Sequence, residues 1–527
     1  MNGSVTSTLF PNNTGFGQLL DAPMRTRPEH TAVVCEDTRL TYAQLGEQVD
    51  RLAAALERDG VKPGEPVALI SRNSVEYLLI ELALFRIGAV SVKINWRFSP
   101  EEIQYLIDLN EVRLVFVRYE RWEWARRVKE IYEGRDVRFI ALNQEQGGRS
   151  PFEKYMDEAP PASAFRPREI APEAPLFRIH TSGTTGKPKC VVHTHGDFMR
   201  ELCCCVDAMR FTPDMVYQMV SQLFHIACIG AYMTLALGGT VVLLPRFEIK
   251  NYLETIERER STGIGVLPVV LKRLLDYPEL DQYDLSSLNR INYSTCPMPP
   301  ALLERAISLV GKKCRFFQSY GMTEMSSIVT VLEPEDHFRD GGAYLTSVGR
   351  PIPGVEVRIQ REDGTEADVG ERGEILLRGP GQMSGYFRAA PGQNEAAMAG
   401  GWYHSKDMGY LDEKGYLYVS GRKDDMIISG GENIYPNEVV DVLMRLTDDI
   451  AEVAVYGVPD LTWGEQVQAS VVLLPGSRLT EVDLREYCRA NMPHYKVPKR
   501  FYLVDELPKN TTGKVLIPEL VKRAQAK

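Results

Sequence analysis

The first hundred residues alternate between segments typical of helices and segments typical of strands. Thr41 and Gln44 form a capping box, and the apolar residues that follow share one helical face up to Gly60. An apolar strand is predicted over residues 66–71, a helix closed by Gly88 over 77–87, and a second strand over 90–94. The pattern recurs at 113–117 and 240–244. Strands that alternate with helices indicate a parallel, layered α/β sheet.

The second half of the chain has a different pattern of predicted strands and helices. From about residue 355 short strands are broken by glycine, as at 373–377 and 415–419, which indicates a smaller β-rich subdomain. After residue 425 strands and helices alternate again, with helices expected from Pro436 and Thr480 and strands near 451–458 and 468–474. We therefore expect a large α/β N-terminal unit, residues 1–422, and a small α+β C-terminal domain, residues 423–527.

Composition limits the class of protein. With 527 residues, 44% of them hydrophobic and 25% charged, the chain is long enough for several cores. Acidic residues outnumber basic ones by 71 to 61, the net charge is −10 and no long basic run occurs, so nucleic acid is not an expected partner. The nine cysteines, including the run at 203–205, lack metal-ligand and disulfide-framework spacing, which fits a reducing compartment.

Two segments bear on location. The N-terminus has no basic region followed by an apolar core, so no signal peptide is predicted and we expect a cytoplasmic protein. Residues 215–245 contain no Asp, Glu, Lys or Arg and exceed the roughly 20 residues that span a membrane. Gln218, His225 and the pair Gly238-Gly239 interrupt this segment, which favours a buried core over a membrane span.

Residues 180–189, HTSGTTGKPK, form a loop rich in glycines and hydroxyls. Glycines let backbone N–H groups turn towards a ligand, hydroxyls donate hydrogen bonds and lysines offset phosphate charge, so the loop suits polyphosphate. A Walker A loop is excluded, because the spacing from Gly183 to Lys187 is two residues too short and Pro188 replaces the magnesium-binding hydroxyl. A flexible polar linker is the alternative. The phosphate-binding candidates are Thr181, Ser182, Gly183, Thr184, Thr185, Gly186, Lys187 and Lys189.

Four further motifs follow this loop along the chain. They are QSYGMTE at 318–324, GWYHSKD at 401–407, GRKDDMIISGGENIYPNEV at 421–439 and PKNTTGKV at 508–515. With the loop, their order and spacing resemble the adenylate-forming superfamily of acyl-CoA ligases, luciferases and nonribosomal-peptide adenylation domains, from about residue 40 to the end. The resemblance implies an adenylation domain of α/β layers with a β-rich subdomain, a small mobile lid and an active site in the cleft between them.

The resemblance implies a reaction in two halves. A carboxylate attacks the α-phosphorus of ATP, releasing pyrophosphate and leaving acyl-AMP, and the thiol of coenzyme A then displaces AMP. Residues 181–189 would grip pyrophosphate, Thr323 would contact the α-phosphate and Glu324 would coordinate Mg²⁺. Tyr320 would stack on adenine, and Asp407 with Arg422 would bind ribose. Further cofactor-binding candidates are Ser294, Thr295, Cys296, Ser319, Gly321 and Val419.

The resemblance also assigns roles to the lid. Lys514 would swing in and bridge the carboxylate and α-phosphate oxygens during adenylation. The lid would then turn about a hinge at Asp424. In that second conformation Gly430 and Gly431 would face the site, and the pantetheine arm of coenzyme A would pass close to their backbone.

Three histidines outside the motifs, His193, His195 and His225, are further candidates for function. His225, within the apolar segment LFHIACIG, matches a histidine that the family places at the acyl pocket, often gating thiol entry. A satisfied core histidine is the alternative. His193 and His195 have His-x-His spacing without a third ligand nearby, so a metal site is not expected there.

The sequence departs from the common family pattern at several points. Cys190, Ser319 and Lys406 stand where glycines are usual, and none of these changes removes a charged catalytic group. Residues 293–298, YSTCPM, and the pair Cys228-Ile229 replace smaller residues, and a bulkier lining suggests a shortened acyl pocket. We therefore expect a short, branched or compact cyclic or aromatic acid as substrate rather than a long fatty acid.

The sequence is compatible with several alternative functions and with a homodimer. A stand-alone adenylation enzyme could load a carrier-protein thiol in place of free coenzyme A, and a nucleotide-binding regulator could have lost catalysis. A luciferase-like oxygenase is possible on fold grounds, although nothing in the motifs requires oxygen. Apolar faces could also support a homodimer.

Overall fold

The structure is a computed structural model. It describes residues 15–120, 122–144, 148–181, 188–294, 298, 300–311, 313–447, 449–509 and 515–526. The strands are β1 (Thr31–Cys35), β2 (Thr38–Thr41), β3 (Pro66–Ile70), β4 (Val90–Lys93), β5 (Leu114–Val117), β6 (Arg138–Ala141), β7 (Pro175–Thr181), β8 (Lys189–Thr194), β9 (Val216–Met219), β10 (Thr240–Leu243), β11 (Gly263–Val266), β12 (Arg290–Ser294), β13 (Arg315–Tyr320), β14 (Thr330–Leu332), β15 (Arg350–Pro351), β16 (Glu356–Gln360), β17 (Gly373–Arg378), β18 (Gly385–Tyr386), β19 (Tyr403–Leu411), β20 (Leu417–Arg422), β21 (Ile427–Ser429), β22 (Glu432–Ile434), β23 (Ile450–Asp460), β24 (Gly464–Leu473) and β25 (Arg500–Leu503).

The helices lie mainly between and around these strands. They are α1 (Asp21–Thr26), α2 (Tyr42–Arg58), α3 (Val75–Ile87), α4 (Pro100–Asn110), α5 (Trp122–Tyr132), α6 (Pro151–Asp157), α7 (His195–Ala208), α8 (Ile229–Leu237), α9 (Ile249–Glu259), α10 (Pro268–Leu275), α11 (Pro300–Val310), α12 (Gln393–Ala397), α13 (Pro436–Leu443), α14 (Glu481–Asn491) and α15 (Ile517–Gln525).

Local signals explain several of the boundaries. The capping box of Thr41 and Gln44 forms at the start of α2, and Gly88 closes α3 in the left-handed conformation, so both predictions are confirmed. The strand expected over 415–419 instead begins at Leu417. Asp412 accepts the backbone N–H groups of Gly415 and Tyr416, and these bonds form a turn before the strand.

Two large sheets form the body of the molecule. One has the strand order β18-β8-β7-β4-β3-β5-β6 and the other β15-β14-β13-β12-β11-β9-β10-β1-β2 in the described residues. Neighbouring strands from β7 to β6 and from β13 to β1 run parallel. The antiparallel pairs of these two sheets are β18 with β8, β8 with β7, β13 with β14, β14 with β15 and β1 with β2. Helix α3, buried along nearly its whole length, contacts strands of both sheets. The predicted layered α/β fold is confirmed.

The two smaller units follow in sequence. Strands β16, β17, β19 and β20 form an antiparallel sheet, which is the expected β-rich subdomain. Strands β21 to β25 form a five-stranded sheet that packs with helices α13 to α15, and two apolar clusters there consist only of residues from 427 to 524. We call this unit the lid. The boundary between residues 422 and 423 stays a prediction.

The segment at 215–245 is divided among short elements. It contains β9, the nine-residue helix α8 and β10, all within the main apolar core. Across the part of the chain that the structure describes, no helix is long and apolar enough to cross a membrane.

Candidate active site

Most of the described candidate residues surround one cavity of about 1080 Å³. It lies where β7, β12 and β13 end, between the antiparallel sheet of β16, β17, β19 and β20 and the lid. Carboxyl ends of parallel strands commonly form such sites, because the strand order leaves a crevice there. The candidates that line the cavity are Thr181, Lys189, His225, Ser294, Ser319, Tyr320, Gly321, Thr323, Glu324, Asp407, Val419 and Arg422.

The remaining candidates fall into two groups. Gly430 and Gly431 form the exposed turn between β21 and β22 and do not line this cavity. The N–H of Gly430 donates to the carbonyl of Trp463 at 2.8 Å within the lid. The candidates outside the described residues are Ser182, Gly183, Thr184, Thr185, Gly186, Lys187, Thr295, Cys296 and Lys514.

A tight turn after β13 presents Thr323 and Glu324 to the cavity. The chain leaves the strand at Tyr320 and forms a short 3₁₀ helix, Thr323–Met325. A Cβ on Gly321 would lie 1.6 Å from the carbonyl oxygen of Ser327, so only glycine fits where the turn folds back.

Tyr320, Asp407 and Arg422 form a connected polar group. The Tyr320 hydroxyl donates to Asp407 Oδ2 at 2.6 Å, and Arg422 Nε lies 3.8 Å from Asp407 Oδ1. Asp407 and Arg422 face each other because β19 and β20 pair in antiparallel register. Burial raises the pKa of Asp407, while the Tyr320 hydroxyl and the Arg422 charge oppose that effect. A half-buried carboxylate beside an arginine can accept hydrogen bonds from a diol.

Glu324 is held by Tyr386, a residue that was not among the candidates predicted from sequence. The Tyr386 hydroxyl donates to Glu324 Oε1 at 3.0 Å, and Lys189 Nζ lies 5.0 Å from the centre of the Tyr386 ring. Tyr386 reaches this position because β18 pairs with β8. The Gly-Tyr dipeptide in a glycine-rich segment is the one local signal, and it is weak.

His225 faces the cavity at the start of a short helical turn. Its Nδ1 accepts the N–H of Ala227 at 3.4 Å, and Ile226 and Ala227 line the cavity beside it. Desolvation lowers the pKa of His225, and the positive charge of Lys93 lowers it further. Both effects favour the neutral imidazole form of His225.

A buried ion pair lies behind the His225 segment. Lys93 Nζ is 2.7 Å from Glu81 Oε1, and both side chains are fully buried. The same ammonium donates to the Leu223 carbonyl at 3.1 Å and lies 3.5 Å from Cys228 Sγ. Lys93 thus anchors both ends of the segment that carries His225. Single charges within apolar runs at 81 and 93 were the signal for this pair in the sequence.

The lid closes one side of the cavity. Asn437, Val440 and Asp441 of α13 line it, and Glu438 of the same helix forms an ion pair with Arg372 of the body at 2.6 Å. Lys406 Nζ lies 3.1 Å from Asp424 Oδ2, next to the expected hinge.

Comparison with known proteins identifies the family. The model of the AMP-binding enzyme matches residues 20–387, and that of the AMP-binding enzyme C-terminal domain matches residues 438–514. The chain belongs to the AMP-binding enzyme family. The predicted membership of the adenylate-forming superfamily is therefore confirmed, and with it the prediction of an enzyme.

Relatives of this AMP-binding enzyme include named ligases. The indoleacetate–CoA ligase of Aromatoleum aromaticum is 36% identical over 511 residues, which cover 95% of this chain and 96% of the relative. The 2-succinylbenzoate–CoA ligase of Bacillus cereus is 32% identical, over 94% of this chain and 95% of the relative. The amide bond synthetase McbA from Marinactinospora thermotolerans has a similar structure, with a TM-score of 0.85 and 31% identity over 96% of this chain and 99% of McbA.

The cavity wall of this AMP-binding enzyme carries a carboxylate whose chemistry suits magnesium. Among the described residues, no group of three or more His, Cys, Asp or Glu side chains is placed to hold a metal ion. Mg²⁺ is usually bound by one or two carboxylates together with phosphate oxygens and water. The Glu324 carboxylate at the cavity wall is a hard oxygen donor of that type.

Proposed function

We propose that the protein is an ATP-dependent carboxylic acid:coenzyme A ligase that releases AMP and pyrophosphate. One observation carries the proposal: residues from four of the five sequence motifs line a single cavity. Lys189 comes from the glycine-rich loop, Glu324 from the second motif, Asp407 from the third and Arg422 from the fourth. Chance packing of surface residues would not bring these separated segments together.

Each part of ATP has a candidate partner in this cavity. Asp407 accepts hydrogen bonds from the ribose hydroxyls, and Arg422 holds its charge in place. Tyr320 offers the adenine its ring, while its hydroxyl stays bonded to Asp407. Thr323 contacts the α-phosphate, and Lys189 with the loop at 182–187 contacts the pyrophosphate that leaves.

Glu324 is the residue proposed to hold Mg²⁺. When bound, the ion neutralises charge on the phosphate oxygens during displacement at phosphorus. The Tyr386 hydroxyl orients the Glu324 carboxylate by donating to one of its oxygens.

The chemistry then needs two displacements. A carboxylate oxygen of the acid forms a bond to the α-phosphorus, and the bond from that phosphorus to pyrophosphate breaks. The sulfur of coenzyme A next bonds to the acyl carbon, its proton is lost, and AMP leaves. Lys514 is proposed to stabilise the first step. The lid then turns at Asp424 and brings Gly430 and Gly431 towards the site.

A compact aromatic or cyclic acid is the proposed substrate class. His225, Ile226, Ala227 and Met322 line one side of the cavity and suit an apolar acyl group. Relatives named as ligases of indoleacetate, 2-succinylbenzoate and ferulate support this class.

The thiol acceptor separates this proposal from its alternatives. A relative from Streptomyces coeruleorubidus is named a fatty acid–[acyl-carrier-protein] ligase and is 31% identical. Free coenzyme A is proposed here, with a cytoplasmic location and a homodimer as further expectations. A carrier-protein acceptor would give product only with a phosphopantetheinylated carrier, and a regulator without catalysis would consume no ATP when acid is added.

A panel of acids tests the proposal. Aromatic, short, branched and long-chain acids are each incubated with ATP, Mg²⁺ and coenzyme A, and AMP and thioester are measured. We expect equal amounts of both products, with compact aromatic acids preferred. Better turnover of palmitate than of the aromatic acids would contradict the substrate class, and thioester formation without AMP would contradict the reaction.

Two lysine variants test the proposed division of labour in the lid. Lys514→Ala should abolish formation of acyl-AMP while largely sparing thioester formation from supplied acyl-AMP. Lys509→Ala is the matched control, because Lys509 lies shortly before Lys514 in the sequence and pairs with Glu452 at 2.7 Å on the lid itself. Equal loss of both half-reactions in Lys514→Ala would count against lid alternation.

A further inference from the structure

The turn that carries Thr323 and Glu324 has an unfavourable backbone conformation. Ser326 and Ser327, which follow directly, have φ values of 55° and 117°, a region that residues with a side chain rarely adopt. Consecutive residues of this kind persist only when surrounding contacts hold them.

His193 makes two of these contacts. It lies in β8, its side chain is fully buried, and its Nε2 is 2.6 Å from the Thr323 carbonyl oxygen. Its Nδ1 is 2.9 Å from Ser326 Oγ. A carbonyl can only accept, so Nε2 carries the hydrogen, and Nδ1 accepts from the Ser326 hydroxyl. One neutral imidazole therefore joins the first residue of the turn to the first strained residue.

The strand that bears His193 strengthens the connection. Strand β8 begins at Lys189, the last residue of the motif HTSGTTGKPK. His193 thus links the strand that carries the phosphate-binding candidate Lys189 to the turn with the Mg²⁺ candidate Glu324. The other histidine of the His-x-His pair, His195, has a different partner: its Nδ1 accepts the N–H of Phe16 at 3.1 Å. The two histidines face different partners and do not form a metal site.

We propose that His193 is a positioning residue that holds the Thr323–Met325 turn in the geometry needed to bind magnesium-ATP. This inference rests on the proposed function, because it takes Glu324 as the magnesium ligand and Thr323 as the α-phosphate contact. His193 itself touches neither substrate nor metal. It acts by fixing the carbonyl of Thr323 and the hydroxyl of Ser326.

Calorimetric titration of ATP, with Mg²⁺ and with EDTA, measures the effect without turnover. In wild type, Mg²⁺ should tighten ATP binding. In His193→Leu this magnesium-dependent gain in ATP affinity should fall about tenfold, the effect of losing one or two hydrogen bonds, while ATP affinity in EDTA should fall by a smaller factor, because only the Thr323 contact is then affected. Ser326→Ala removes one of the two hydrogen bonds and keeps the imidazole. It should also reduce the magnesium-dependent gain in ATP affinity, but by a smaller factor than His193→Leu.

His337→Leu is the matched control. His337 is also buried and bonded through both nitrogens, to the Tyr293 hydroxyl at 2.9 Å and the Glu333 carbonyl at 2.8 Å, but it does not touch the turn. We expect it to leave the magnesium-dependent gain intact. A loss in His337→Leu equal to that in His193→Leu, or an unchanged gain in both His193→Leu and Ser326→Ala, would overturn the inference.

Glu324→Gln separates this inference from the proposed function. If Glu324→Gln abolishes the magnesium-dependent gain and the two turn variants keep it, only the role of His193 is wrong. If Glu324→Gln also keeps the gain, the proposed magnesium site is wrong and the inference falls with it.

Discussion

The buried pair of Lys93 and Glu81 allows a quantitative prediction. Replacing Lys93 with Met preserves the length of the side chain but removes its contacts with the Glu81 carboxylate at 2.7 Å and the Leu223 carbonyl at 3.1 Å. Glu81 is then a fully buried carboxylate that keeps only hydroxyl partners, Ser91 Oγ at 3.1 Å and the Tyr232 hydroxyl. Breaking such a pair costs about 3–5 kcal/mol, because the remaining charge stays desolvated.

The double variant Lys93→Met/Glu81→Gln isolates the cause. With both charges gone, the desolvation cost of each disappears, so its free energy of unfolding should lie within about 1 kcal/mol of wild type or exceed it. Urea denaturation of all three proteins at one pH measures the difference. Because the Leu223–Cys228 segment loses its anchor in both variants, KM for the acid should rise in the stable double variant as well. A single variant within about 1 kcal/mol of wild type, or a double variant as unstable as the single one, would refute this reasoning.

Three further predictions concern residues around the site. Tyr386→Phe removes the hydroxyl that donates to Glu324 Oε1. The Mg²⁺ concentration for half-maximal pyrophosphate exchange should therefore rise about tenfold or more. An unchanged Mg²⁺ dependence would count against a role for this hydrogen bond. Burial raises the pKa of Glu201 to about 8, so the folded state holds an extra proton between about pH 4.5 and 8. As pH rises from 5 to 8, the urea midpoint of wild type should therefore fall relative to that of Glu201→Gln. Urea midpoints of the two proteins that change in parallel with pH would contradict the shift. Lys406→Gly relieves a φ of 63° and removes an exposed ion pair with Asp424. The free energy of unfolding should change by less than about 1 kcal/mol, while turnover should become less sensitive to salt. An unchanged salt dependence of turnover would exclude a role for the ion pair at the hinge.

Local chemistry made much of the fold predictable. The capping box at Thr41 and the left-handed Gly88 depend on residues close in sequence, so their positions could be predicted from short segments. The layered sheet followed from the alternation of elements. The motifs supplied many of the candidate residues that line the cavity, because the resemblance supplied the chemistry that joins them.

The parts that escaped prediction depend on distant pairings. Tyr386 reaches Glu324 only through the pairing of β18 with β8, and His193 reaches Thr323 across 130 residues of chain. Lys93 and Glu81 stand in an apolar strand and an apolar helix, where only the packed structure shows that their charges meet. Burial and orientation of this kind arise from tertiary packing, which short-range patterns do not contain.

Isotope transfer tests the central claim most directly. The acid is labelled with ¹⁸O in both carboxylate oxygens and incubated with ATP, Mg²⁺ and coenzyme A, and the released AMP is analysed by mass spectrometry. If the carboxylate attacks the α-phosphorus, each AMP carries one ¹⁸O from the acid. Unlabelled AMP, or label in inorganic phosphate, would contradict adenylate formation in this cavity.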